Sequence, residues 1–228
     1  MATMDAARPT RLHRWAGLGG MLFVVLFIVG CTLAFDGIPN GDDAPAKYVY
    51  FYGDSGNRDQ IGIGFTLAML GIFCFLWFLS ALRQVLSAID ADGFLTTLAT
   101  IGGAVYATLA LAGISVWAAV ATMSDDTFHH QVYPGLVHAA NDTSYVIYTS
   151  GGIGAGTMMI AASLAASRAA AVPRWAGIVG VVFGVLGLGS IFFLPIGLVL
   201  IWILVASVLV FRASSRPIPA PAPPTAAA

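Results

Sequence analysis

Charge is nearly missing from this 228-residue chain. Only 9% of its residues are charged while 58% are hydrophobic, against about a quarter charged in ordinary soluble domains. There is no glutamate, and Lys47 is the sole lysine against nine arginines, a bias that a GC-rich genome accounts for. So sparse a set of cations, with a net charge of −1, excludes a phosphate-tracking surface and with it nucleic acid as a partner. Cysteine is limited to Cys31 and Cys74, too few for a disulfide-stapled scaffold. Nothing in the sequence brings the outer half of the run holding Cys31 against the middle of the run holding Cys74, so no bond between them is expected. Also missing are an HExxH pair, a phosphate-binding loop, a dinucleotide fingerprint and a nucleophile elbow. The segment Gly151-Gly152-Ile153-Gly154-Ala155-Gly156 is glycine-rich, but it lies in an apolar run where close helix packing explains it.

What the chain does have is five charge-free windows: Trp15 to Phe35, Gln60 to Leu82, Gly93 to Ser124, Thr143 to Ser167 and Trp175 to Phe211. A helix rises about 1.5 Å per residue and the hydrocarbon core is about 30 Å thick, so roughly 20 residues make one crossing. The first four windows are read as one span each. The last overshoots a bilayer as one helix, but folded between Gly189 and Gly197, where Pro195 breaks the backbone ladder, it supplies two short spans. The fold class expected is therefore all-α, a polytopic transmembrane bundle of six helices. Its spans are 15–35, 60–82, 97–122, 143–167, 175–192 and 195–211, within a transmembrane domain of residues 15–211.

Charge placement orients the bundle. With six spans and a cytoplasmic N-terminus, Arg8, Arg11, Arg14, Arg83, Arg168, Arg174, Arg212 and Arg216 fall inside, leaving Lys47 and Arg58 outside. That is the bias the positive-inside rule requires. Counting the last window as one span would move Arg212 and Arg216 outside and weaken it. Both termini are then cytoplasmic: a basic lead over residues 1–14 and a Pro/Ala-rich tail over 212–228, which is extended and disordered in this reading. The outer loop 36–59 opens with turn residues and continues through Ala46-Lys47-Tyr48-Val49-Tyr50-Phe51-Tyr52. Its aromatics suit the headgroup region, so it is expected to form a short interfacial helix or to cap the bundle.

Three local patterns bear on packing. Ile28-Val29-Gly30-Cys31 resembles the lipobox of bacterial lipoproteins, in which Cys31 would be acylated, but the apolar run continues to Phe35 as a full crossing requires, so it is read as a span. Arg14-Trp15-Ala16-Gly17 recurs as Arg174-Trp175-Ala176-Gly177; a snorkelling Arg, an interfacial Trp and small packing residues reach the same solution twice. Gly180-x3-Gly184, Gly152-x3-Gly156 and Gly102-Gly103 offer bare backbone for close approach, within the chain or between copies in a homo-oligomer.

No ionisable residue is forced to mid-membrane, which disfavours ion-coupled transport. The richest polar constellation opens span 4: His138, Asn141, Asp142, Tyr145, Tyr148 and Thr149, with Arg58 as the outer countercharge. If the helix already runs from Leu136, steps of three and four put His138, Asp142, Tyr145 and Thr149 on one face, with Asn141 and Tyr148 beside it. Such a stripe would line an outward-facing ligand pocket anchored by Asp142. Equally, Asn141-Asp142-Thr143 would cap span 4 and the tyrosines would join the aromatic belt. Asp125-Asp126-Thr127-Phe128-His129-His130 has the right donors for a metal but no known ligand spacing, so no metal and no other cofactor is expected.

Arg-Trp-Ala-Gly opening span 1, Tyr48 to Arg58 leading into span 2, Leu82-Arg83 closing it, His138-x3-Asp142-x2-Tyr145 opening span 4 and Val172-Pro173-Arg174-Trp175-Ala176-Gly177-Ile178 opening span 5 together resemble a family of uncharacterised bacterial six-span integral membrane proteins, a domain of unknown function. The likeness covers nearly all of residues 11–211 and departs from the family at the Pro/Ala tail and at His129-His130. It implies six helices, an N-in orientation and a place in the bacterial plasma membrane, and it supplies no substrate, cofactor or catalytic residue. The function expected is a non-catalytic membrane protein, in contact with the lipid bilayer, that binds a lipid or small apolar ligand at its outer mouth or serves as an accessory component. A permease for an uncharged or weakly charged solute, with Thr66, Tyr106, Thr108, Ser115 or Ser150 lining a central cavity, is the alternative. A membrane enzyme using His138, Asp142 and the His129-His130 loop comes third.

Overall fold

The computed structural model describes residues 15–40, 43–124, 133–192 and 194–213. Among these every regular element is helical: α1 (Gly19–Phe35), α2 (Pro45–Gly53), α3 (Ser55–Ser87), α4 (Phe94–Met123), α5 (Pro134–Arg168), α6 (Arg174–Gly187), a 3-10 turn at Ser190–Phe192, and α7 (Leu194–Ala213). Four stretches are long and apolar enough to cross a bilayer: Trp15–Phe35, which includes α1, then α3, α4 and Pro195–Ala213 of α7. These support a membrane-embedded protein. Helix α5 has 35 residues, and α6 has only 14.

The helices overrun the charge-free windows because polar residues at their ends are used as caps. Asp54 is the N-cap of α3, its Oδ1 accepting from the amides of Gly56 (2.7 Å) and Asn57 (3.2 Å). Between α3 and α4 the chain turns through Gly93 at φ +71°, a left-handed conformation that suits glycine. There Asp90 accepts from the Thr96 amide (2.7 Å) and hydroxyl (2.8 Å). The Thr96 amide, then the Thr96 hydroxyl, outweigh desolvation and hold the Asp90 carboxyl below the ordinary aspartate range. Helix α5 starts at Pro134, at the first helical position where a missing N–H costs nothing.

Sequence neighbours pack side by side and antiparallel. Gly30 of α1 faces the Gly64 carbonyl and Ala68 of α3 while Gly19 faces Cys74; Gly102 of α4 faces Gly154 and Met158 of α5 while Gly113 faces Ser144; Gly156 of α5 faces the Gly184 carbonyl of α6 while Ser163 meets Gly180. Helices α6 and α7 form a hairpin that brings Gly180 against Trp202, and α7 returns to α1, where Gly17 meets the backbone of Phe211. Residues 17 and 211 therefore lie at the same end. In a lipid solvent this close backbone approach replaces the hydrophobic drive between helices. A Cβ on Gly30 would lie 2.6 Å from the Gly64 carbonyl, and one on Gly102 would lie 2.7 Å from the Gly154 carbonyl. The motif glycines Gly102, Gly152, Gly156, Gly180 and Gly184 are thus engaged within the chain.

The space between the helices is filled. Phe23, Phe75, Phe78, Met158, Met159 and Ile203 are fully buried. Ring centroids lie 5.1 Å apart for Phe23 and Phe75, 5.5 Å for Phe75 and Tyr106, and 6.0 Å for Phe27 and Tyr148. Hydroxyls that face outward are satisfied by their own helix: Thr66, Ser80, Ser115, Ser150 and Thr157 each donate to the carbonyl four residues back. This is the local solution available where water is lacking. Cys31 and Cys74 are both free thiols. Cys31 packs on the core beside Gly30, whose contact with α3 requires residues on both sides of it to be helical.

Helix α2 does more than lie on a surface. Tyr48, Phe51 and Tyr52 are buried together with Ala34, Ile61, Trp117, Val120, Ala121 and Val137, which come from α1, α3, α4 and α5, whereas Tyr50 on its other side is 82% exposed. It caps one end of the bundle.

Candidate functional site

The polar run at the start of α5 divides between two faces. Val137, Ser144, Thr149 and Gly152 are buried and Asn141 and Tyr148 are half-buried, which makes 137, 141, 144, 148 and 152 the inward stripe. Asp142 and Tyr145 are exposed. His138 is half-buried, its ring set edge-on to Tyr48 with centroids 4.8 Å apart. The face expected to line a pocket is therefore split: Thr149 is buried and His138 half-buried, Asp142 and Tyr145 are exposed, and Asn141 and Tyr148, expected beside it, belong to the inward stripe. Nor do Asn141-Asp142-Thr143 cap the helix, because it starts at Pro134 with Tyr133 as its N-cap residue. Ser144, not singled out from the sequence, carries an interhelical bond on this stripe. It donates to the Gly113 carbonyl of α4 at 2.7 Å, where glycine lets the backbones meet.

Arg58 has a different partner from the one expected. Helix α2 ends at Gly53 and α3 begins two residues later, so the last carbonyls of α2 lack helical donors. Arg58 Nη1 donates to the Tyr52 and Gly53 carbonyls, both at 2.9 Å, and Asn57 Nδ2 donates to Phe51 at 2.9 Å. Among the described residues no ion pair joins Arg58 to Asp142; the pair present is Lys47 with Asp43. Gln60 Nε2 ties down the Leu33 carbonyl at 2.9 Å, and the Tyr48 hydroxyl donates to Asn40 at 2.6 Å. Among the described residues, two buried polar atoms here have no hydrogen-bond partner, the Tyr52 hydroxyl and Asn141 Oδ1. Burial, with a smaller contribution from Tyr48, pushes the Tyr52 phenol up to about 12.

Further along the same stripe, Tyr148 and Gly152 reach the break between α6 and α7. A cavity of about 10 Å³ lies there, lined by Tyr106, Tyr148, Gly152, Ser190, Ile196 and Val199. Ser190 donates to the Gly187 carbonyl at 2.5 Å, while the buried Tyr106 hydroxyl has no hydrogen-bond partner among the described residues. Of the residues expected to line a permeation cavity, Tyr106 alone is buried; Thr66, Thr108 and Ser150 face outward or sideways and Ser115 is half-buried.

A larger concavity lies on the outside of the bundle. A groove of about 430 Å³ runs along α3 and the start of the first apolar run, lined by Ala16, Phe73, Leu76, Trp77, Ser80, Ala81 and Gln84. Its walls change from aromatic and aliphatic at Phe73, Leu76 and Trp77 to polar at Ser80 and Gln84, near the end that holds both residue 17 and residue 211. The sequence reading missed it because the groove joins two helices and no single periodicity shows it.

Among the described residues no cluster of three metal-ligating side chains occurs. His129 and His130 lie outside those residues. Comparison with protein-family models, with curated proteins and with solved structures gives no match.

Proposed function

We propose that this chain is a six-span, non-catalytic protein of the bacterial plasma membrane that binds a membrane lipid along α1 and α3, with its N- and C-termini on the cytoplasmic side. Arg83, Arg168, Arg174 and Arg212 close or open helices at one end while Lys47 and Arg58 sit at the α2 end; the positive-inside rule then makes the α2 end external. The short α6 and the returning α7 count as two crossings, joined by an uncharged turn after Gly187 that docks on Gly152 of α5. The resemblance to bacterial six-span proteins agrees with this count and with the cell membrane.

The observation that carries lipid binding is the polarity gradient of the groove. In this orientation Phe73, Leu76 and Trp77 lie toward the bilayer centre, and Ser80 and Gln84 lie toward the inner headgroups. That order matches an acyl chain below its ester and headgroup, in a space within the range of small-molecule sites. Native mass spectrometry of the detergent-purified protein tests it. Ser80 is exposed, so Ser80→Leu fills the groove without disturbing the core; retained phospholipid should fall several-fold, and unchanged retention would contradict the reading.

A second reading, a small apolar ligand held at the outer mouth beside His138, Asn141 and Tyr148, is favoured by one observation, the unpaired and buried Tyr52 hydroxyl and Asn141 Oδ1. A ligand there would have to displace α2, and Asn141→Leu would abolish any ligand-dependent rise in Tm.

A further inference from the structure

The break between α6 and α7 sits in apolar surroundings, yet three residues that carry hydroxyls line the small cavity there. Tyr106 comes from α4 and is 4% exposed, Tyr148 comes from α5, and Ser190 belongs to the 3-10 turn of the break itself. The Tyr148 phenol lies close to that of Tyr106, yet the Tyr106 hydroxyl makes no bond of normal geometry among the described residues. An unpaired hydroxyl in an apolar interior is costly, and folded proteins rarely leave one so. The space beside it, about 10 Å³, matches the roughly 10–15 Å³ that a single water needs.

We propose that this cavity is a built binding site for one ordered water molecule, which bridges α4, α5 and the α6–α7 break. Tyr106 donates its proton to the water. The water donates to the Tyr148 and Ser190 oxygens, since the Ser190 proton is already given to the Gly187 carbonyl. Three bonds result, within the two to four that a buried water typically makes. Ile196 and Val199 close the apolar side and keep larger ligands out. Gly152 keeps the site open, because a methyl there would collide with Ser190 and the Gly187 carbonyl. The role follows from the place: a turn of backbone inside hydrocarbon is tolerated where protein or water satisfies its polar groups, and this water joins the turn to two neighbouring helices. The inference does not depend on lipid binding.

The test uses the full chain in detergent or nanodiscs. With the water present, Tyr106→Phe removes its donor and lowers Tm by about 2–4 °C. Ser190→Ala lowers it also, and the double variant costs less than the sum because both act on one water. If the hydroxyl is an orphan in a dry cavity, Tyr106→Phe leaves Tm unchanged or raises it, which overturns the proposal. Radiolytic hydroxyl labelling gives a readout without mutation. Tyr106 should be oxidised at a rate approaching that of the exposed Tyr50 while buried Phe75 is spared; equal protection of Tyr106 and Phe75 would overturn the proposal as well.

Discussion

The chain breaks its helices at two contrasting places, after Gly53 in the α2 cap and after Gly187 in the α6–α7 hairpin. In the cap, the freed carbonyls of Phe51, Tyr52 and Gly53 are taken by Asn57 and Arg58, side chains five or six residues away in sequence. In the hairpin, Ser190 takes one carbonyl locally, and the Tyr106 hydroxyl beside it, from a distant helix, is unpaired among the described residues. A break near water carries its caps in the neighbouring sequence, where long polar side chains can reach back. A break in an apolar interior is built from small residues and hydroxyls, so its satisfaction depends on tertiary packing and on space for a bridging water.

The largest effect that would break this contrast is at Gly152, where the hairpin docks on α5. Gly152→Leu should cost about 3 kcal/mol or more, since its Cβ meets backbone and the Ser190 side chain rather than a movable chain end; a thermal melt in detergent reads it, and a Tm within a degree of the parent would show that the hairpin can move away. Arg58→Ala should cost about 1 kcal/mol after discounting for its partial exposure. Its effect should be confined to faster amide exchange in residues 45–53, with α6 and α7 unchanged. If exchange instead rises along α5, Arg58 is part of the outer mouth.

Tyr52 offers a pH-dependent test of the cap. Its phenol is raised from about 10 in the unfolded chain to about 12 in the folded one, so its contribution is fully present below pH 10 and is lost as pH rises through about 12. Residues 45–53 should loosen in alkali, and Tyr52→Phe, which also removes an unpaired hydroxyl, should abolish that loss and leave neutral-pH stability equal or higher. The smallest effect is at Asp142. As an exposed residue without an ion pair among the described residues, Asp142→Asn should stay within about 0.5 kcal/mol of the parent, and a larger change would return it to the interior stripe.

These residues also show what the sequence makes legible. Charge-free windows located the long apolar helices, because lipid and core both exclude charge. Their ends were not visible in the same signal: Ser55-Gly56-Asn57 reads as loop by hydropathy and folds as the capped first turn of α3, and Pro134, a usable start signal, lies nine residues before the apolar window of span 4. The expected face of α5 divides between inside and outside because the helix is polar on both sides there. What decides the choice is the fit of Ser144 against Gly113 and of Gly152 against Ser190, a property of pairs of helices. For the same reason Arg58 was assigned a charge partner when its function is to satisfy the carbonyl end of α2. Helix α2 is legible in the sequence as aromatic; that Tyr48 and Tyr52 are buried depends on the ends of α1, α3, α4 and α5 meeting beneath it.

The account rests most heavily on six crossings with the α2 cap outside, and single-cysteine labelling in intact cells tests it most directly. With Cys31 and Cys74 replaced, cysteines at Gly53, Ala171 and Ala213 would be exposed in turn to a membrane-impermeant maleimide. The account predicts labelling at position 53, and protection at 171 and 213 until the membrane is permeabilised. Labelling at 213 in intact cells would make α6 and α7 a single crossing and contradict it.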